Sequence, residues 1–208
     1  MHRPQPGTPW GRIRTLAAIA VVLGSSACAP LRGDGSTRLA GCNPISLQHP
    51  GRQVIEADVA NFVRAVPAAG AVRFEVQDCL MDGQLYDGKT IVLGACLARL
   101  PQPQRYFVIA HEFAHYRLDH QAQNGGRSAH ILGYQAQPSH ARDASELAHR
   151  TEFEADAYAV RMMRAQGLDP EDAARLFDSM GAGGNSATHP AFARRARAIR
   201  DVIAALAD

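Results

Sequence analysis

Lysine is almost missing from this chain: Lys89 is the only one, and arginine supplies every other basic side chain. That scarcity alone selects no function. Net charge is scarce too. The formal value is +2, too small for the basic surface that neutralises nucleic-acid phosphates, so no nucleic-acid partner is expected. The four cysteines (Cys28, Cys42, Cys79 and Cys96) form no CxxC pair, which argues against a cysteine-ligated metal site. No internal repeat occurs. With 46% apolar and 20% charged residues, the 208-residue chain is of ordinary globular composition, enough for one domain with a hydrophobic core plus a tail.

The N-terminus has a different character. Arg3, Arg12 and Arg14 precede the apolar run LAAIAVVL at 16–23, and the small residues GSSACA follow. The run is too short to span a membrane as a helix, and the pattern is that of a secretory signal peptide over residues 1–27. SSAC resembles a bacterial lipoprotein box ending at Cys28, although Ser25 stands where a leucine-like residue is usual; an ordinary cut after Ala27 is the alternative. The expectation is an exported, periplasmic protein attached to the envelope membrane by lipid at Cys28. Without the three arginines, 19 basic residues face 20 acidic ones, so the mature chain is close to neutral. In an oxidising compartment Cys79 and Cys96, which flank an expected hairpin, are the preferred disulfide pair.

Residues 28–50 are rich in Gly, Pro and Ser and read as a tether, leaving 51–208 as the domain. Val54, Ile55, Val59, Phe62, Val63 and Val66 form a helical stripe that Pro67 ends. AVRFEVQ at 71–77 alternates like a strand, and Asp87-Gly88 marks a turn between two further β-prone runs, so two or three antiparallel strands are expected. A helix follows from Pro103, then a loop or insertion over 121–143, a helix over 144–166 stopped by Gly167, a short helix capped by Asp169, and a final amphipathic helix. The fold class is α+β, mostly helical with a small antiparallel sheet.

The chemistry concentrates in VIAHEFAHYRLDH, residues 108–120. His111 and His115 are four apart, so on a helix both imidazoles face one point, and Glu112 lies beside the first. HExxH is the zinc-hydrolase pattern for that reason: two neutral imidazoles bind the ion, the glutamate serves as general base, and a coordination position stays open. A chance occurrence in a chain of this length is on the order of one in a hundred. A third ligand must come from elsewhere. A histidine six residues after His115 would suit one class of zinc peptidase, but that residue is Gln121. The better source is TEFEADAYA at 151–159. Glu152 and Asp156 share a helical face, so one carboxylate can bind zinc while the other holds a ligating imidazole. Glu154 points elsewhere, and spacing alone leaves either glutamate as the ligand.

HExxH followed by an ExxxD helix is the gluzincin layout. HEFAHYRLDH, EFEADAYA and THPAFARR together resemble the HtpX-like and CAAX prenyl protease-like (Ste-type) zinc metallopeptidases over roughly residues 70–200. The resemblance implies a zincin-like fold and one Zn2+ per chain, held by His111, His115 and Glu152, with Asp156 in support. It implies Glu112 as catalytic base, and His189 or Arg195 as stabiliser of the tetrahedral oxyanion. His120 matches a histidine that such proteins commonly carry. The transmembrane helices of the membrane-embedded members are missing, so the likeness is to exported, soluble ones. The implied activity is metalloendopeptidase cleavage of a protein or peptide substrate. KTIVLG at 89–94 is a candidate edge strand for holding an extended peptide. Two alternatives stand beside this reading: an ImmA/IrrE-like regulatory peptidase, which a signal peptide argues against, and a non-catalytic, zinc-stabilised binding or chaperone-like envelope protein, which would not need Glu112.

Overall fold

The computed structural model describes residues 43–78, 83–86, 88–123 and 138–207. The expected signal segment 1–27, the cysteines at 28, 42 and 79, Asp87 and His130 lie outside the described residues, as does most of the tether. Cys96 is a free, half-buried thiol.

Helix α1 spans Pro50–Ala65. Pro50 suits the first turn, and the His49 imidazole accepts from the Arg52 N–H at 3.4 Å. Ile55 and Phe62, seven residues apart on one stripe, are buried, while Val54 is turned out and 37% exposed. Phe62 then meets Phe74, Tyr106 and Phe113 at ring-centroid distances of 6.4, 5.4 and 5.5 Å, which joins the helix to the sheet and to the next helix.

The sheet contains β1 (Asn43–Pro44), β2 (Arg73–Asp78), β3 (Gly83–Tyr86) and β4 (Thr90–Gly94), in the order β1-β2-β4-β3. The expectation of a purely antiparallel sheet is corrected. β1 and β3 pair antiparallel with their neighbours, but β2 and β4 run parallel, with Val76 opposite Leu93. The reason lies in β4. Its TIVLG run is buried throughout, and such a strand takes the centre of a sheet covered on both faces. The β3–β4 hairpin turns at Gly88, and β4 returns between β2 and β3. The edge strand near the catalytic motif is therefore β3, and the segment 89–94 expected at the edge is central.

Helix α2, Gln102–Arg117, is buried almost all round from Tyr106 to Ala114, so it runs through the core rather than along its surface. Helix α3 covers Pro138–Ala165, six residues earlier than expected, with a proline in its first turn. Ala110 and Ala114 on α2 and Ala155 and Ala159 on α3 are all buried, and these small side chains let the two helices approach closely. Helix α4 (Glu171–Ser179) starts where the Asp169 carboxylate accepts from the Glu171 N–H at 3.0 Å. Helix α5 (Phe192–Ala205) closes the core, with Phe177 stacked on Phe192 at 6.1 Å and edge-on to Phe107 at 5.8 Å. The result is the expected α+β, zincin-like arrangement, mostly helical around a small sheet. Among the described residues no helix is long and apolar enough to cross a membrane.

Candidate metal centre

Helical spacing and the close approach of α2 to α3 bring His111, His115 and Glu152 together. One ligand atom from each lies within 4.8 Å of the others. The two Nε2 atoms are 3.1 Å apart, His111 Nε2 is 3.5 Å from Glu152 Oε2, and His115 Nε2 is 3.3 Å from Glu152 Oε1. Donors about 2.0–2.1 Å from one tetrahedral ion stand roughly 3.3–3.4 Å apart, so these separations fit a single small cation. Glu152 Oε2 is buried without a hydrogen bond; Arg195 Nη1 is 3.1 Å away but not aligned to donate. A buried carboxylate that faces two imidazole nitrogens, one of its oxygens without an aligned hydrogen bond, is a donor set suited to a cation. Glu152, not Glu154, is thus the carboxylate that faces the histidines, which closes the choice that spacing left open.

The outer nitrogens of both imidazoles have partners. His111 Nδ1 meets Asp156 Oδ1 at 2.9 Å, and Asp156 is gripped by Arg195 through Nε at 2.8 Å and Nη2 at 2.5 Å. All three groups are buried. Burial pushes the His111 imidazole down, but the facing carboxylates of Asp156 and Glu152 outweigh that, and its pKa rises to about 10. His115 is held down to about 4, chiefly by burial. Burial would raise both carboxylates, yet Glu152, facing the two histidines, and Asp156, facing Arg195, end well below the usual range.

On a continuous helix a residue five beyond His115 would not share its face, and the sequence assigns His120 no partner. The chain reverses instead. Helix α2 ends at Arg117, Asp119 takes a left-handed φ of 54°, and residues 120–123 begin a new helical turn. That turn brings His120, only 1% exposed, back to His115, with the two Nδ1 atoms 3.0 Å apart. Its Nε2 lies 3.2 Å from Glu154 Oε2, and burial holds its pKa below the ordinary value. Glu154, which does not face the metal-site imidazoles, thus acts on the next histidine along.

Glu112 is buried beside His111 and packs against the start of β3. A Cβ added at Gly83 would lie 2.7 Å from Glu112 Cγ and 3.1 Å from Leu93 Cδ2, so only glycine lets the edge strand come this close to the carboxylate. Sequence patterning gave no sign of this contact. If Glu112 is the base of a hydrolase, Gly83→Ala should bind metal like wild type but lose about 10–100-fold in kcat, because a displaced Glu112 loses alignment. Metal analysis beside steady-state kinetics tests this; full activity in the variant would contradict it.

His189 and Arg195 are placed quite differently. Arg195 is buried, bound to Asp156, close to Glu152 and seated 4.2 Å over the Phe177 ring. His189 is half exposed at the mouth of the site, with Nε2 3.9 Å from Glu152 Oε1 and Nδ1 2.9 Å from Thr188 Oγ1. Its loop is fixed from both ends. Ser186 and His189 bond each other's backbone, and His149 Nε2 lies 2.8 Å from the Ser186 carbonyl. Phe192 donates to the Gly183 carbonyl and packs so tightly on Gly184 (φ 87°) that a Cβ there would sit 2.6 Å from its ring.

An imidazole pair on a buried helix, a carboxylate from the neighbouring helix and a glutamate beside an edge strand make up a candidate metallopeptidase site. The chain belongs to peptidase family M48, whose model matches residues 75–203. Searches of curated proteins and of solved structures give no match.

Proposed function

We propose that this protein is a zinc-dependent endopeptidase of the bacterial cell envelope, of the HtpX-like and CAAX prenyl protease-like kind, acting on protein or peptide substrates. The observation that carries the reading is the convergence of His111, His115 and Glu152 on one point, with Glu112 held beside it by Gly83. Two imidazoles and one carboxylate suit catalytic zinc, one ion per chain, with a coordination position left for reactants. Bound there, zinc would supply Lewis-acid polarisation of the carbonyl and acidification of water.

The chain's own groups account for the rest. Glu112 takes a proton from the attacking water and delivers it to the nitrogen of the breaking C–N bond. Asp156, held by Arg195, keeps the His111 ring turned so that Nε2 faces the site. Of the two candidates for oxyanion stabilisation, the geometry favours His189. Arg195 is buried against two carboxylates and an aromatic ring, whereas the His189 ring stands at the mouth. The β3 edge offers backbone groups to an extended peptide, beside the base. Export and lipid attachment at Cys28 rest on the sequence of residues 1–28, and fractionation of cells expressing the tagged chain tests them; recovery in the cytosol would contradict export.

A chelator such as phenanthroline is expected to abolish hydrolysis of an unfolded protein substrate, and stoichiometric zinc to restore it. Activity that survives complete metal removal would overturn the reading.

A further inference from the structure

The structure assigns His120 and Glu154 as a two-residue relay that orients His115 for the metal. The inference rests on the zinc site proposed above. For His115 to offer the Nε2 lone pair to a cation, its proton must sit on Nδ1. That N–H then needs an acceptor, and the atom 3.0 Å away is His120 Nδ1. An imidazole that accepts at Nδ1 carries its proton on Nε2, and that N–H needs an acceptor in turn; Glu154 Oε2 stands 3.2 Å from it. One hydrogen-bonding pattern satisfies every nitrogen: Glu154 accepts from His120, His120 accepts from His115, and His115 Nε2 faces Glu152 and His111.

The opposite tautomers fail. A proton on Nε2 of His115 would point into the donor set and abolish its use as a ligand. The His120 side chain is almost wholly buried, so water does not replace either partner. The two ligand histidines are therefore held by different devices. His111 is backed directly by a buried carboxylate, whereas His115 reaches its half-exposed carboxylate through an intervening ring. The left-handed Asp119 is what brings that ring into place.

The role separates from simple packing by the choice of replacement. Leucine at 120 fills the space without accepting a hydrogen bond. Asparagine is smaller, but its Oδ1 stands close to where Nδ1 was and accepts from His115. Zinc affinity measured by competition with a chromophoric chelator, together with the melting temperature of each metal-free protein, decides the matter. His120→Leu is expected to bind zinc about 10–100-fold more weakly. His120→Asn should recover most of that loss even though it packs worse. Glu154→Ala should fall between wild type and His120→Leu, because His120 then lacks its orienting acceptor. Equal weakening by leucine and asparagine, or wild-type affinity in His120→Leu, would overturn the assignment. His115→Ala is the control. If it binds zinc as tightly as wild type, the metal site itself is misassigned and the relay falls with it; if it loses zinc while the His120 variants do not, the relay alone fails.

Discussion

Glu112→Gln should bind zinc like wild type while its kcat for peptide hydrolysis falls by at least about 10²–10⁴-fold. The substitution preserves shape, so the contact with Gly83 and the burial beside His111 are kept. An amide cannot accept the proton of the attacking water at neutral pH, and it has none of the right kind to give to the leaving amine. The loss should appear in kcat rather than in KM, because the base acts on the proton of the attacking water and not on the bound peptide. Zinc content and kinetics must be measured on the same preparation. Retained hydrolysis in a zinc-loaded Glu112→Gln protein would remove the proposed base. Joint loss of zinc and activity would show that the residue acts on the site's structure instead.

The second large effect concerns the buried clamp behind His111. Arg195→Leu is expected to destabilise the metal-free protein by about 3 kcal/mol, because it takes from the buried Asp156 carboxylate its two-armed partner, leaving only His111, and leaves Glu152 without its nearest cation. The loss should be largely reversed by pairing it with Asp156→Asn. The double variant removes both charges, and the asparagine oxygen can still accept from His111 Nδ1–H. The comparison is a double-mutant cycle read by urea unfolding. Additive losses in the two variants would mean that Arg195 contributes through its contact with Phe177 rather than through the charge pair.

The parts of this site legible in the sequence were those governed by helical periodicity. His111 and His115, and Glu152 and Asp156, each lie four apart, and a helix turns such spacing into a shared face without help from the rest of the fold. Other relations depend on tertiary placement. Spacing could not choose between Glu152 and Glu154, because that depends on how α3 is rotated against α2. For His120 the sequence offers a family match but no partner, and only the left-handed Asp119 makes it the neighbour of His115. Gly83 is silent in any pattern, since its significance is the side chain it lacks. The sheet was misjudged for a related reason. A hairpin signal at Gly88 fixes that β3 and β4 pair antiparallel, but it says nothing of which strand lies on the far side of β4, and β2 arrives there in parallel.

Everything proposed for this protein depends on one zinc ion held by His111, His115 and Glu152. Anomalous diffraction at the zinc absorption edge, from crystals of the purified protein, tests it most directly. A single peak per chain is expected, bonded to Nε2 of both histidines and to the Glu152 carboxylate. A peak ligated by Glu154 or His120, or zinc bound only at surface histidines such as His149, would contradict it.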